Sequence, residues 1–151
     1  MFKTPVSVLV IIYTPDLQVL LLERADHPGY WQSVTGSQHH DETLIQTAQR
    51  EISEETSLNA LSYPLTDWHI KNQYEIFQEW RWRYASTVTH NTEHVFGLLI
   101  SEPEPINVTT REHLGFIWLP WQQAAEKVFS WSNAQAIINL PARQKRHVQV
   151  L

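Results

Sequence analysis

Between Pro5 and Thr14 the chain reads Val-Ser-Val-Leu-Val-Ile-Ile-Tyr, eight residues in which Ser7 is the one small polar interruption and five are valine or isoleucine. Such a run has no polar face to turn toward water. β-branched side chains also suit a pleated strand better than a helix, so Val6 to Tyr13 is expected to be a central strand covered on both faces. The run is about half the ~20 residues needed to span a bilayer. Pro15-Asp16 follows it without an A-x-A-like cleavage site, which argues against a secretory signal. With 151 residues, 42% of them hydrophobic, one domain can bury the strand.

Other segments supply the cover. Val19 to Glu23 follows a Thr14-Pro15-Asp16 turn and reads as the second arm of a β-hairpin. Tyr30 to Thr35 reads as a short strand running into Gly36, and Ser37 to Glu42 as a polar loop. From Thr43 on, Leu44, Ala48 and Ile52 recur at the spacing of one helix face, with Arg50, Glu51, Glu54 and Glu55 on another. Tyr74 to Tyr84 alternates Trp80, Trp82 and Tyr84 with Glu79, Arg81 and Arg83, which predicts a strand, with Glu93 to Ile100 as its partner. Gly115 to Leu119 reads as a short strand, and Pro120 to Val128 and Ser132 to Leu140 as helices. Strands and helices mixed in this way predict an α/β or α+β fold, a mixed sheet between helices, in a single domain over 1–151. The basic tail 141–151, with Arg143, Lys145 and Arg146, is expected to be flexible and solvated.

Composition removes several chemistries. Eleven Lys and Arg against 16 Asp and Glu leave a net charge of -5, which offers no global field for a nucleic-acid backbone. Cysteine is absent, excluding disulfides, thiolate metal sites and Cys nucleophiles, and cytoplasm is the expected compartment. No Gly-Lys pair or G-x-G triplet occurs among the four glycines, so phosphate loops of those kinds are missing. The eight histidines form no H-x-x-x-H spacing and none is assigned a catalytic role, although His113 merits testing. Most of the seven tryptophans are expected in the core or a subunit interface, and the sequence leaves the oligomeric state open.

The acidic helix face is the chemically informative feature. Glu51, Glu54 and Glu55 stand three and four residues apart and can meet on one patch. Two readings follow: a solvated face, or a cluster that repels itself until a divalent cation neutralises it. Hard carboxylate oxygens would select Mg²⁺, with Mn²⁺ a substitute. Arg50 lies four residues before Glu54 and could orient a carboxylate. Gly36 would let the chain turn sharply before the helix. Glu42 suits either the metal site or the charge at a helix N-terminus.

From Gly36 to Leu58 the order is Gly, five residues, Glu42, seven residues, then Arg50-Glu51-Ile52-Ser53-Glu54-Glu55, one residue, Ser57 and Leu58. This segment resembles the signature box of the Nudix hydrolase family at every position but Ser57, where the family pattern has Gly. The resemblance implies an α/β/α sandwich enzyme that hydrolyses a diphosphate linkage, with Mg²⁺ held by the box glutamates. Glu51 and Glu55 would be the main metal ligands, and Glu54 a further ligand or the group orienting the attacking water. Glu112, outside the box, would complete the metal site or act as general base.

Segments beyond the box, Lys3 to Val10, Tyr30 to Ser37, Tyr74 to Phe77, Thr89 to Glu93, Glu112 to Leu114 and Ser130 to Asn133, resemble the branch of that family acting on dihydroneopterin triphosphate. This implies release of pyrophosphate from a small-molecule pterin triphosphate, an early step toward folate. Canonical or oxidised nucleoside triphosphates are the alternative substrates, and a catalytically silent binding module of the same fold is a further one. Lys3 and Arg24 suit a triphosphate, and equally a solvent-facing surface. Thr35 could bond substrate or satisfy the turn. Tyr74 and Phe77 could stack on a flat ring or pack the core, with the backbone through Ile76 reading the ring edge and Glu75 accepting from its amino-pyrimidine donors. Ser130 is a substrate contact by resemblance and a helix N-cap by position.

Overall fold

A computed structural model describes residues 1–144. Its single sheet has seven strands: β1 (Val6–Tyr13), β2 (Gln18–Arg24), β3 (Trp31–Gln32), β4 (Val34–Ser37), β5 (Leu65–Glu75), β6 (His90–Leu99) and β7 (His113–Pro120). Along the sheet the order is β3-β2-β1-β6-β5, with β4 paired to β1 and β7 to β2. The β1–β6 pair is parallel and the others are antiparallel, so the sheet is mixed.

The eight-residue apolar run is β1, buried on both faces. Val8, Val10 and Ile12 point into a cluster with Ala48 and Ile52 of α1 (Leu44–Thr56). Leu9, Ile11 and Tyr13 point the other way, into a cluster with Ala124 of α2 (Trp121–Lys127) and Ala136 and Ile137 of α3 (Trp131–Ile138). Helices therefore sandwich the sheet. The helix begins where capping chemistry predicts. Gln46 N–H donates to Thr43 Oγ1 at 3.2 Å and Thr43 N–H to Gln46 Oε1 at 2.9 Å, a reciprocal capping box. At its far end Ser57 adopts a left-handed φ of 65° and its N–H donates to Ser53 O, so serine holds the conformation that glycine usually takes there.

Several expectations differ from the structure. The strand expected over Tyr74 to Tyr84 ends at Glu75, and Gln78–Arg83 is a 3-10 turn. Its period-two pattern is misleading because Arg81 folds back, donating from Nε to Ile76 O at 3.1 Å, while Trp80 stacks on Phe77. The partner of β6 is instead the residues before it, from Leu65. Their alternation is hidden by an irregularity in the β5–β6 register between Asp67 and Ile70, where His69 takes φ 57° and the apolar phase shifts. The segment Tyr30 to Thr35 is two strands, parted at Ser33, whose N–H donates to Asn133 Oδ1 on α3. Of the tryptophans, Trp68 is buried in the core, Trp31, Trp118 and Trp121 are half-buried against the two core clusters, and Trp82 is 72% exposed. Beyond α3, residues 141–144 are helical, so the tail is ordered that far; the rest of it lies outside the described residues.

Candidate active site

One open cleft of about 1170 Å³ takes in residues from the strand ends, α1, the 3-10 turn and the start of α3. Its acidic end is built from β4 and α1. Gly36 lies in β4 with no left-handed φ, so the expected sharp turn is not its reason for being glycine. A Cβ there would fall 2.1 Å from the Glu51 carboxyl carbon. The missing side chain is the space the Glu51 carboxylate occupies.

Beside it Glu55 is 2% exposed, and its Oε1 has no hydrogen-bond partner. Burial pushes the Glu55 carboxyl well above the usual carboxylate range. Its hydrogen bond with Glu51 adds to this, as do the charges of Glu51 and Glu112, while the Thr35 backbone N–H opposes it. His113 Nε2 stands 3.5 Å from Glu55 Oε1. Burial lowers the His113 pKa to about 4, so its imidazole is neutral near pH 7 and adds no positive charge to the site.

Arg50 ties the remaining acids together. Its Nε donates to Glu42 Oε2 at 2.6 Å and its Nη2 to Glu42 Oε1 at 2.9 Å. Its Nη1 reaches Glu51 at 2.5 Å and Glu54 at 3.3 Å, and Nη2 also donates to Ser37 O. Glu42 also accepts from Thr47 and the His39 N–H, so its carboxylate is saturated and directed at Arg50 rather than into the cleft. Glu54 is exposed on the same helix, and Glu112 faces the cleft from the loop before β7. Among the described residues no three His, Asp or Glu side chains are gathered closely enough to hold an ion as they stand. The donor set nevertheless suits a hard divalent cation: the Glu51 and Glu55 carboxyls are neighbours, and a buried Glu55 oxygen is left unpaired.

The basic residues stand between this end and an aromatic wall. Lys3 lines the cleft, and its backbone N–H donates to Arg83 O at 2.8 Å. Arg24 is bidentate to Asp26 at 2.7 Å, reaches Gln32 at 3.0 Å and lies 4.3 Å from the Trp80 ring centroid. The wall itself is Phe77 stacked on Trp80 at 5.2 Å, both edge-on to Phe129 at 5.9 Å.

Of the other anticipated residues, Thr35 donates its hydroxyl to Val8 O at 2.9 Å, which leaves its backbone facing the acids. Ser130 lines the cleft and also caps α3, accepting from Asn133 N–H at 3.2 Å. Tyr74, Glu75 and Ile76 line it too, and the exposed Glu75 carboxylate is bonded to Arg81. The cleft also takes in Trp80 and Phe129, which lie outside the resembling segments, and Asn91 and the buried acid Glu93, which lie within the resembling segment Thr89 to Glu93 but have no role assigned from the sequence. Only the misassigned strand hid Trp80. The strand β6 does place Asn91 and Glu93 on one face at period two, which was a usable signal.

The chain matches the NUDIX domain family over residues 3–140. It is 45% identical over 139 residues to the dihydroneopterin triphosphate diphosphatase of Escherichia coli K12, covering 90% of this chain and 91% of that one. The protein of the same name from Haemophilus influenzae is also 45% identical, with 90% and 87% covered. The solved E. coli dihydroneopterin triphosphate pyrophosphohydrolase superposes with a TM-score of 0.86 at 44% identity, over 91% of this chain and 94% of that one. A Listeria monocytogenes structure described as a NUDIX hydrolase superposes at 0.79 with 23% identity, over 95% and 97%, a likeness of fold.

Proposed function

The chain belongs to the NUDIX family, and from that premise we propose that it hydrolyses 7,8-dihydroneopterin 3'-triphosphate to the monophosphate and pyrophosphate, a step toward folate. The observation that carries the reading is a single cleft with a carboxylate pair at one end, Glu51 in the space of Gly36 and Glu55 with an unpaired oxygen, and a stacked aromatic wall at the other. The 45% identity to enzymes named for this substrate supports it. No helix among the described residues is long and apolar enough to cross a membrane. We place the reaction in the cytoplasm, in keeping with a chain without cysteine.

The divalent ion is proposed to be Mg²⁺, held by Glu51 and Glu55 with Glu112 as the further carboxylate. When bound it supplies charge for the phosphates and acidity for a water. Arg50 keeps Glu51 and Glu54 aligned through its Nη1. Glu54 orients the attacking water and takes its proton at a carboxylate oxygen, with Glu112 the second candidate for that proton. Lys3 and Arg24 bind the triphosphate, Arg24 exchanging Asp26 for phosphate oxygens of the same bidentate geometry. Phe77 and Trp80 flank the ring, and the Ile76 backbone and Ser130 border it.

The test compares dihydroneopterin triphosphate with the nucleoside triphosphates under Mg²⁺, scoring pyrophosphate and orthophosphate separately. A pterin preference with pyrophosphate release is expected. A higher kcat/KM for a nucleotide would transfer the same carboxylate chemistry to a nucleotide substrate and overturn the pterin assignment.

A further inference from the structure

The cleft holds a buried carboxylate that the metal chemistry does not use. Glu93 sits on β6, 3% exposed, and lines the cleft, and among the described residues it has no ion-pair partner. Its neighbours are neutral. Asn72, across the β5–β6 ladder, donates from Nδ2 at 3.5 Å, and the hydroxyls of Ser132 and Tyr74 also bond it. Burial pushes its carboxyl above the usual range despite these donors, the direction expected for an acid whose charge lacks a counterpart.

Two residues earlier on the same face, Asn91 is 2% exposed. Its Nδ2 donates to Ser7 Oγ at 2.7 Å and to the Tyr74 hydroxyl at 3.0 Å, which turns Oδ1 away from both. That oxygen is buried and has no partner. Two acceptors, one of them orphaned, thus stand two residues apart on one face of β6, in a cleft that Phe77 and Trp80 also line. Buried acceptors without donors are costly in the free protein and are satisfied by a ligand that brings N–H groups. Glu75, the acid expected for this task beside the resemblance, also lines the cleft but is exposed and bonded to Arg81, whereas Glu93 is buried.

We infer that Glu93, with Asn91 Oδ1 beside it, is the specificity-determining acceptor pair for the ring, reading adjacent N–H donors of a 2-amino-4-oxopyrimidine edge. Such an edge offers an exocyclic amino group and a ring N–H in parallel, which match the two oxygens of one carboxylate. The inference rests on the proposed function for the pterin, but it names an edge that guanine shares and hypoxanthine lacks in its 2-amino group.

The experiment uses the full chain with Mg²⁺. Binding of the α,β-methylene analogues of GTP and ITP is measured by calorimetry on wild type and on Glu93→Gln, alongside kcat/KM for dihydroneopterin triphosphate. Wild type is expected to bind the guanine analogue about 10-fold or more tighter than the hypoxanthine one, the range for a hydrogen bond to a charged group. Glu93→Gln should bring that ratio close to 1 and lower kcat/KM for the pterin by about 30-fold, mainly through KM. A wild type that does not distinguish the two analogues overturns the inference, and that comparison needs no variant to fold. A Glu93→Gln protein that keeps the wild-type ratio overturns it as well, because a merely structural acid would leave the ratio unmoved. If the ratio is large and lost in the variant while the pterin is not hydrolysed, the edge-reading stands and the pterin assignment fails.

Discussion

At the scale of single residues the site depends on what glycine leaves out. Adding a methyl at Gly36 places it on the Glu51 carboxyl group, so Gly36→Ala is expected to displace the proposed ligand Glu51 rather than strain the backbone. An ångström of misplacement costs about 10²-fold in rate, and we expect a kcat loss of about that size with a thermal midpoint close to wild type. Wild-type kcat in that variant would count against Glu51 as a ligand. Glu42 is a structural acid by contrast. Its bonds to Arg50 lower its pKa to about 2. A depressed carboxylate pKa contributes stability that is present above the unfolded value of about 4.5 and is lost as pH falls through about 2. Denaturation midpoints followed from pH 6 to pH 2 should therefore fall in that window, and more shallowly in Glu42→Gln. Equal slopes in both proteins would refute the assignment.

At the scale of elements, α1 carries the acids and its position is set at both ends by short-range bonds. Thr43→Ala removes one half of the capping box and is expected to cost about 1 kcal/mol in denaturant unfolding, with kcat little changed. The start of α3 is fixed differently. Asn133 accepts from Ser33 N–H at 2.9 Å and donates to Ser33 Oγ at 3.0 Å, clamping the helix onto the break between β3 and β4. Asn133→Ala leaves that buried N–H unsatisfied, at about 1–3 kcal/mol. Because Ser130 and Phe129 precede the same helix, KM should rise as well; a stability loss with unchanged KM would detach α3 from substrate binding.

At the scale of the whole molecule the sheet is covered by two clusters, and its tolerance to added volume differs from place to place. A Cβ at Gly97 would lie 2.3 Å from the Trp68 ring, between β6 and β5, whereas a Cβ at Gly115 on β7 meets nothing within 4 Å. Gly97→Ala is expected to destabilise by about 1–3 kcal/mol and Gly115→Ala by less than about 0.5 kcal/mol. Matching losses in the two would show that the packing around Trp68 gives way. The division of labour in the cleft belongs to this scale too, since Glu51, Glu54 and Glu55 come from α1, Glu112 from the loop before β7 and Glu93 from β6, while its aromatic wall comes from a turn and the approach to α3.

What the chain determined unaided were the features written in local periodicity and spacing. The apolar run of β1 had to be covered on both faces, Thr43 had to start a helix, and the gaps from Gly36 to Leu58 put three glutamates on one turn-spaced face of it. Those depend on neighbours a few residues apart. What only the tertiary structure decided depends on partners far away in the chain. Trp80 leaves the strand pattern because it stacks on Phe77 and edges onto Phe129. Gly36 is there for a carboxylate fifteen positions on, as the close approach of Glu51 requires. Glu93 becomes a buried acid, without an ion pair among the described residues, only when Asn72, Tyr74 and Ser132 close around it. Periodicity records which face a side chain takes, but burial and charge balance are properties of everything packed against that face, and no single stretch of sequence contains them.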